Sequence, residues 1–264
     1  MKRRKKRNKL KRHIIILVGV LIMGTAAYLK FNSNDPDDNN SNVYGEVTTA
    51  TTTTTTTSRP PNYVKTTPRG FVLTNVDGAY YIDDYLIVNK SLPLTSDWRP
   101  PNPQYPITGE SCRNCIDREA YTAFQLMRAD AAAIGLNIWI ASGFRDFNLQ
   151  TRLFNGNVQR HGREVAEGFS ARPGHSEHQT GLAIDLNSIT SEFAHTNEGR
   201  WVNENAYRYG WIIRYPNGKT HETGFIYEPW HLRFVGIPLA TRLFNNGDWL
   251  TMEYYFGLES RYQD

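Results

Sequence analysis

Cysteine is almost absent from this 264-residue chain: Cys112 and Cys115 are the only two, set as C-x-x-C in Ser111-Cys112-Arg113-Asn114-Cys115. With no second pair nearby, a zinc knuckle is excluded, and the βαβ setting that a thioredoxin-like redox pair requires is not apparent. What remains is a local disulfide pinning a loop, which suits an extracytoplasmic protein. Basic charge is also scarce outside one end. Nine of the 30 Lys and Arg lie within the first twelve residues, leaving the rest of the chain with fewer basic side chains than its 26 acidic ones. The formal charge of +4 therefore belongs to a tail, and the remainder offers no basic surface for nucleic acid.

Long apolar runs are scarce too, and the one that stands out follows the tail as an uncharged stretch from Ile14 to Leu29. It falls slightly short of the ~20 residues a spanning helix prefers, but Lys30 can snorkel and Phe31 extends it. We expect a basic cytoplasmic tail over 1–13 and a signal-anchor over 14–31, with the C-terminal bulk outside the membrane. No A-x-A cleavage site precedes the polar stretch; cleavage would release the same bulk, as a secreted domain, on the same side. Residues 32–67 lack apolar periodicity and contain an unbroken threonine run from Thr51 to Thr57. Such a segment buries too little surface to offset its ordering entropy, which predicts a disordered tether. At up to ~3.3 Å per residue it would reach roughly 100 Å.

Apolar and aromatic residues recur from Arg69 onward, enough for one domain over 68–264. Ala120, Phe124, Met127, Ala131 and Ile134 form the apolar stripe of a helix over 120–134, closed by Gly135. Leu136 to Ala141 reads as a strand, leading through Ser142-Gly143-Phe144-Arg145 into a second helix near Leu149 to Phe154. Gly181 to Leu186 reads as a strand, 207–214 as mixed, and Gly224 to Tyr227 as a short strand. Helices first and strands later predict an α+β single domain, with a small antiparallel sheet flanked by helices and the site in a cleft on that sheet.

Two segments carry the chemistry. In Gly174-His175-Ser176-Glu177-His178-Gln179-Thr180-Gly181-Leu182-Ala183-Ile184-Asp185, alternation along the strand puts Ile184 on the core face and Asp185 toward a cleft, with His178 just ahead. In Tyr227-Glu228-Pro229-Trp230-His231, a regular strand would put Glu228 and His231 on opposite faces. If both serve one site, a bend must fall at Pro229 to Trp230. Together the segments supply what a catalytic zinc site needs: three ligands, an open position for water, and a nearby base that is not a ligand. A lone histidine more often belongs to core or surface, where we place His13, His161, His195 and His221, with His175 undecided because of its closeness to the first motif.

The pattern Ser176-x-His178-x-x-Gly181-x-Ala183-x-Asp185 followed by Glu228-x-Trp230-His231 resembles the signature of the VanY-type zinc D-alanyl-D-alanine carboxypeptidases. That group also holds D-Ala-D-Ala dipeptidases and L-alanyl-D-glutamate endopeptidases. The likeness extends from Leu86-Ile87-Val88-Asn89-Lys90 through Ser142-Gly143-Phe144-Arg145 to Asn205-Ala206-Tyr207-Arg208-Tyr209-Gly210 and Val235-Gly236. Phe144 departs from it, standing where the family usually has Tyr. The resemblance implies one Zn2+ held by His178, Asp185 and His231, Glu228 as general base, and Arg145 holding substrate or the developing oxyanion. Ser176 and Gln150 are expected to contact substrate, and Trp230 to pack beneath the metal. The implied reaction is removal of the terminal D-Ala from peptidoglycan stem peptides. An endopeptidase cutting elsewhere in the stem peptide or cross-bridge, and a non-catalytic wall-binding module, remain as alternatives.

Overall fold

The structure is a computed structural model, and it describes residues 59–263. The basic tail, the apolar run and residues 32–58 of the expected tether lie outside the described residues. Among the described residues, no helix is long and apolar enough to cross a membrane.

The folded chain begins earlier than expected. Strand β1 (Tyr63–Thr66) falls inside the segment read as tether, and it pairs antiparallel with β2 (Val72–Val76). β3 (Ala79–Ile82) and β4 (Tyr85–Ile87) complete a four-stranded meander. The short strand β5 (Ser111–Cys112) precedes helix α1 (Arg118–Ala133). Asp117 caps α1 by accepting from the backbone N–H groups of Glu119 and Ala120. Ala120, Phe124, Met127 and Ala131 are buried as the stripe predicts, but Ile134 is not part of it: it occupies the C-cap position and is 62% exposed.

Next come β6 (Ile140–Ser142), β7 (Phe144–Arg145), α2 (Phe147–His161) and α3 (Arg163–Glu167). Strand β6 is shorter than the predicted 136–141. The Asn187 side chain takes the place of a ladder there, accepting from Trp139 N–H and donating to the Asn137 carbonyl. Helix α2 is longer than predicted, because Asp146 caps it ahead of Leu149 and it runs on to Gly162 although only Gln150 and Phe154 are buried.

The site is carried by the second four-stranded sheet. Its members are β6, β8 (Ala183–Leu186), β10 (Glu228–Phe234) and β9 (Trp211–Tyr215), in that order and antiparallel throughout. The expected strand over 224–227 is not formed, since the strand begins at Glu228 and the preceding residues are loop. Short helices α4 (Asn197–Asn205), α5 (Thr220–Thr223), α6 (Ile237–Phe244) and α7 (Met252–Phe256) complete the domain. Ile184, Leu186, Ile213 and Leu232 of the sheet join Phe124 and Met127 of α1 in one core. Burying each such side chain contributes on the order of 1.5–3 kcal/mol, which fixes the sheet's register and therefore which side chains face the cleft. The α+β architecture is as expected.

Cys112 and Cys115 are joined by a disulfide. The loop it closes sits against Gly143, where a Cβ would come within 2.1 Å of the Arg113 carbonyl oxygen. Only glycine permits this approach, and it lets β5 pair with β7 in the register Ser111↔Arg145 and Cys112↔Phe144.

Candidate active site

Three strands and one turn bring the site together. His178 lies on a 3-10 turn, Glu177–Thr180, which Gly181 closes with a positive φ of 70° before β8 begins. Its Nδ1 donates to the Gly143 carbonyl at 2.7 Å, so Nε2 is left facing Asp185 Oδ2 at 3.3 Å. Asp185 pairs across the ladder with His231 on β10. His231 Nδ1 lies 3.3 Å from Asp185 Oδ1.

The bend predicted at Pro229 to Trp230 is present. On the β9 side, Glu228 is opposite Tyr215 and Leu232 is opposite Ile213. Pro229, Trp230 and His231 thus bulge against Arg214 alone, which turns Glu228 and His231 to the same side. Glu228 Oε2 consequently lies 3.6 Å from His231 Nδ1.

Arg145, on β7, reaches the same cluster with Nη2 3.6 Å from Asp185 Oδ2. Its Nη1 donates to Gln150 Oε1 at 3.2 Å, and Gln150 Nε2 in turn donates to the Ala171 carbonyl at 2.8 Å. All seven predicted site residues, including Ser176, line one cavity of about 490 Å³. Trp230 lines it too while belonging to the hydrophobic core. His175 is elsewhere: its Nδ1 donates to the Asn89 carbonyl and its ring meets Tyr262. His161 packs on Phe169 and His221 is exposed beside Glu222.

Whether a metal fits can be judged from the donor atoms. One ligand atom from each of His178, Asp185 and His231 lies within 4.8 Å of the others. Tetrahedral zinc with bonds of about 2.0–2.1 Å separates its ligands by about 3.3–3.4 Å. The contacts His178 Nε2–Asp185 Oδ2 and His231 Nδ1–Asp185 Oδ1, both 3.3 Å, are close to that spacing, each to a different oxygen of the carboxylate. His178 Nε2 is buried with no hydrogen bond, a costly arrangement for a polar atom unless an ion receives its lone pair. The residues fit a single zinc ion.

The electrostatics agree. Burial, assisted by Arg145, lowers His178 to about 4 despite the pull of Asp185, so its imidazole is neutral and ready to ligate. Burial opposes charge on His231, but the neighbouring carboxylates of Asp185 and Glu177 outweigh it and raise the group to about 9. Asp185 is held well below the usual carboxylate range, because His178 and His231 overcome its burial. The cluster therefore favours one positive charge among its carboxylates, a place a divalent cation takes as the imidazole proton leaves. Burial raises Glu228 to about 7, with Asp185 adding to the effect and His231 and Arg145 opposing it. A carboxyl poised there suits a general base.

Four further residues around the site were not singled out from the sequence. Glu177 is fully buried and holds Arg214 Nε at 2.8 Å and Arg233 Nη1 at 2.9 Å on its Oε1. Tyr215, buried beside His231 with its rings 4.9 Å apart, has a hydroxyl raised well above its usual value, chiefly by burial. The available signal was an arginine inside each of two fully buried strands, Arg214 in β9 and Arg233 in β10.

Fold and site are those of a peptidase-type hydrolase, with three side chains that could hold a metal and a further carboxyl group, Glu228, in one cleft. The comparisons with known proteins make this specific. The family model VanY, D-alanyl-D-alanine carboxypeptidase, matches residues 113–237, a span that contains every one of the seven site residues. YodJ of Bacillus subtilis is 37% identical over 181 residues, which are 64% of this chain and 66% of that relative. The bifunctional D-Ala-D-Ala dipeptidase and D-Ala-D-Ala carboxypeptidase VanXYC of Enterococcus gallinarum is 30% identical over 178 residues, 64% of this chain and 92% of that relative. Among solved structures, the LdcB LD-carboxypeptidase matches at a TM-score of 0.60 and 34% identity, over 72% of this chain and 95% of that one. A mutant of the vancomycin resistance D,D-pentapeptidase VanY in complex with Zn(II) matches at 0.51 and 35%, over 64% and 96%. The chain belongs to the VanY family of D-alanyl-D-alanine carboxypeptidases.

Proposed function

We propose that this protein is a zinc-dependent D,D-carboxypeptidase that removes the C-terminal D-Ala from peptidoglycan stem peptides. We further propose that an N-terminal membrane anchor and tether hold it on the outer side of the membrane. The observation that carries the reading is Glu228: buried, raised to about 7, and 3.6 Å from a metal-type histidine without being one of the three converging ligands. The Zn(II) complex of the related VanY supports the choice of metal, and the name of VanXYC supports the substrate.

His178 Nε2, Asp185 and His231 Nδ1 would hold the ion, which supplies Lewis acidity to a water and to the scissile carbonyl. Glu228 accepts the proton of the attacking water as the new carbon–oxygen bond forms. It then returns that proton to the departing nitrogen as the carbon–nitrogen bond breaks, so one carboxyl serves as base and then as acid. Arg145 presents a permanent charge and forked donors to the carbonyl oxygen as it becomes negative, or to the terminal carboxylate. Gln150 fixes the guanidinium by accepting from Nη1. Ser176 offers a hydroxyl in the same cavity.

One observation favours a second reading. The match to the LdcB LD-carboxypeptidase covers more of this chain, 72% against 64% for VanY. That enzyme class would take a stem ending in a single D-Ala. Incubating the zinc-loaded protein with stems of both kinds and identifying products by mass spectrometry separates the readings. We expect one free D-Ala from the D-Ala-D-Ala stem, and none from Glu228→Ala with zinc still bound. Internal cleavage without free amino acid, or activity surviving that substitution, refutes the proposal.

A further inference from the structure

Glu177 is the residue next to a ligand, and its carboxylate is buried between two arginines and His231. Its Oε1 is saturated by two guanidinium groups, Arg214 Nε at 2.8 Å and Arg233 Nη1 at 2.9 Å. Those arginines are themselves fully committed. Arg214 gives its two other nitrogens to the carboxylate of Glu253, at 2.8 and 2.6 Å. Arg233 donates to the Leu86 and Phe234 carbonyls. All four charged side chains are buried. The network therefore clamps Glu177 in one orientation, with Oε2 left over.

That leftover oxygen faces His231 Nε2 at 3.5 Å. Both atoms are buried, and neither has a hydrogen bond. The two are matched, since an ionised carboxylate only accepts and can face a ring nitrogen comfortably only if that nitrogen carries hydrogen. An N–H on Nε2 leaves the lone pair on Nδ1, the atom that faces Asp185 Oδ1 and Glu228 Oε2. Ligating histidines commonly have their second nitrogen fixed by a carboxylate in this way.

We infer that Glu177 is a positioning residue, whose clamped carboxylate fixes the His231 ring and its Nε2–H tautomer so that Nδ1 is presented to the metal. The inference rests on the metal-site reading above. The alternative is that Glu177 only balances the charges of Arg214 and Arg233, and a substitution can tell these apart. In Glu177→Gln the amide oxygen can still accept from the two arginines, which turns the amide NH2 toward His231 Nε2. Donor then faces donor, and the ring is driven to the Nδ1–H tautomer that has no lone pair for zinc. Glu253→Gln weakens the far end of the same network and leaves Oε2 untouched.

The test measures zinc affinity by chelator competition on the full-length protein and both variants. We expect a loss of roughly 10–100-fold in Glu177→Gln and wild-type affinity in Glu253→Gln. Wild-type affinity in Glu177→Gln, or an equal loss in both variants, overturns the inference. A second measurement does not depend on either variant folding: long-range proton–nitrogen NMR of zinc-loaded wild-type protein. It should show His231 protonated at Nε2, and a proton on Nδ1 overturns the inference. Wild-type protein that binds no zinc overturns the metal reading and this inference with it.

Discussion

Replacing Glu228 by Gln should make the metal-free protein more stable at alkaline pH while abolishing turnover. The carboxyl is raised from 4.5 to about 7, chiefly because burial penalises its charged form. A group whose folded-state pKa exceeds its unfolded value adds stability that is fully present below the unfolded value and lost as pH rises through the folded one. The window therefore runs from 4.5 to about 7. At about 1.4 kcal/mol per pKa unit, a shift of this size costs the wild type on the order of 3 kcal/mol by pH 8. The attraction between Glu228 and the His231 imidazolium, 3.6 Å apart, is already contained in that raised value. A gain on the order of 3 kcal/mol follows, or several degrees in melting temperature for a domain of this size. Gln keeps the shape and cannot ionise, so near pH 4.5 the two proteins should melt together. Thermal melts of chelator-treated protein at pH 4.5, 6 and 8, run beside a D-Ala release assay, measure both effects. A variant that is less stable than wild type at pH 8, or offset equally at all three values, would refute the reasoning.

Two further substitutions test the supports around the cluster. Arg145→Lys keeps the charge but loses the fork that engages Gln150, and kcat/KM should fall by about 10²–10³ with kcat carrying the loss if the role is oxyanion stabilisation; steady-state kinetics at saturating zinc decide this, and unchanged kcat would assign Arg145 to ground-state binding. Gly143→Ala places a methyl 2.1 Å from the Arg113 carbonyl oxygen, so the loop or the strand must move. A loss of about 1–3 kcal/mol in urea denaturation, together with weaker zinc binding through the displaced His178 partner, is expected, and full zinc affinity would show that the carbonyl is dispensable.

The parts of the site legible in the sequence were those written over short spans. His178 and Asp185 are seven residues apart and straddle a glycine turn, and Glu228 and His231 are three apart across a proline. Local geometry is enough to relate such residues, and the three-residue spacing itself demanded the bulge that β10 has. The α1 stripe was readable for the same reason, up to Ile134, where helix geometry had already ended. What could not be read depends on pairings across long stretches of chain. Glu177 meets arginines 37 and 56 positions away, and Arg214 meets Glu253 a further 39 away. No local pattern encodes those partners. Strand β6 was overestimated because a side chain, Asn187, satisfies backbone groups that a propensity argument assigns to a ladder.

The bulge in β10 makes the division of labour at the site a matter of counting. Base and ligand share one strand, and what sets them apart is their spacing, since Pro229, Trp230 and His231 together crowd against Arg214 alone. Removing both Pro229 and Trp230 would restore an ordinary alternation against β9. Glu228 and His231 would then be adjacent and point to opposite faces, so one of them would leave the cleft. Length is therefore constrained more tightly here than chemical identity. A swap at position 229 or 230 that keeps the kink leaves the arithmetic intact, whereas deletion of both codons would separate the acid–base group from the ion it serves without touching either one.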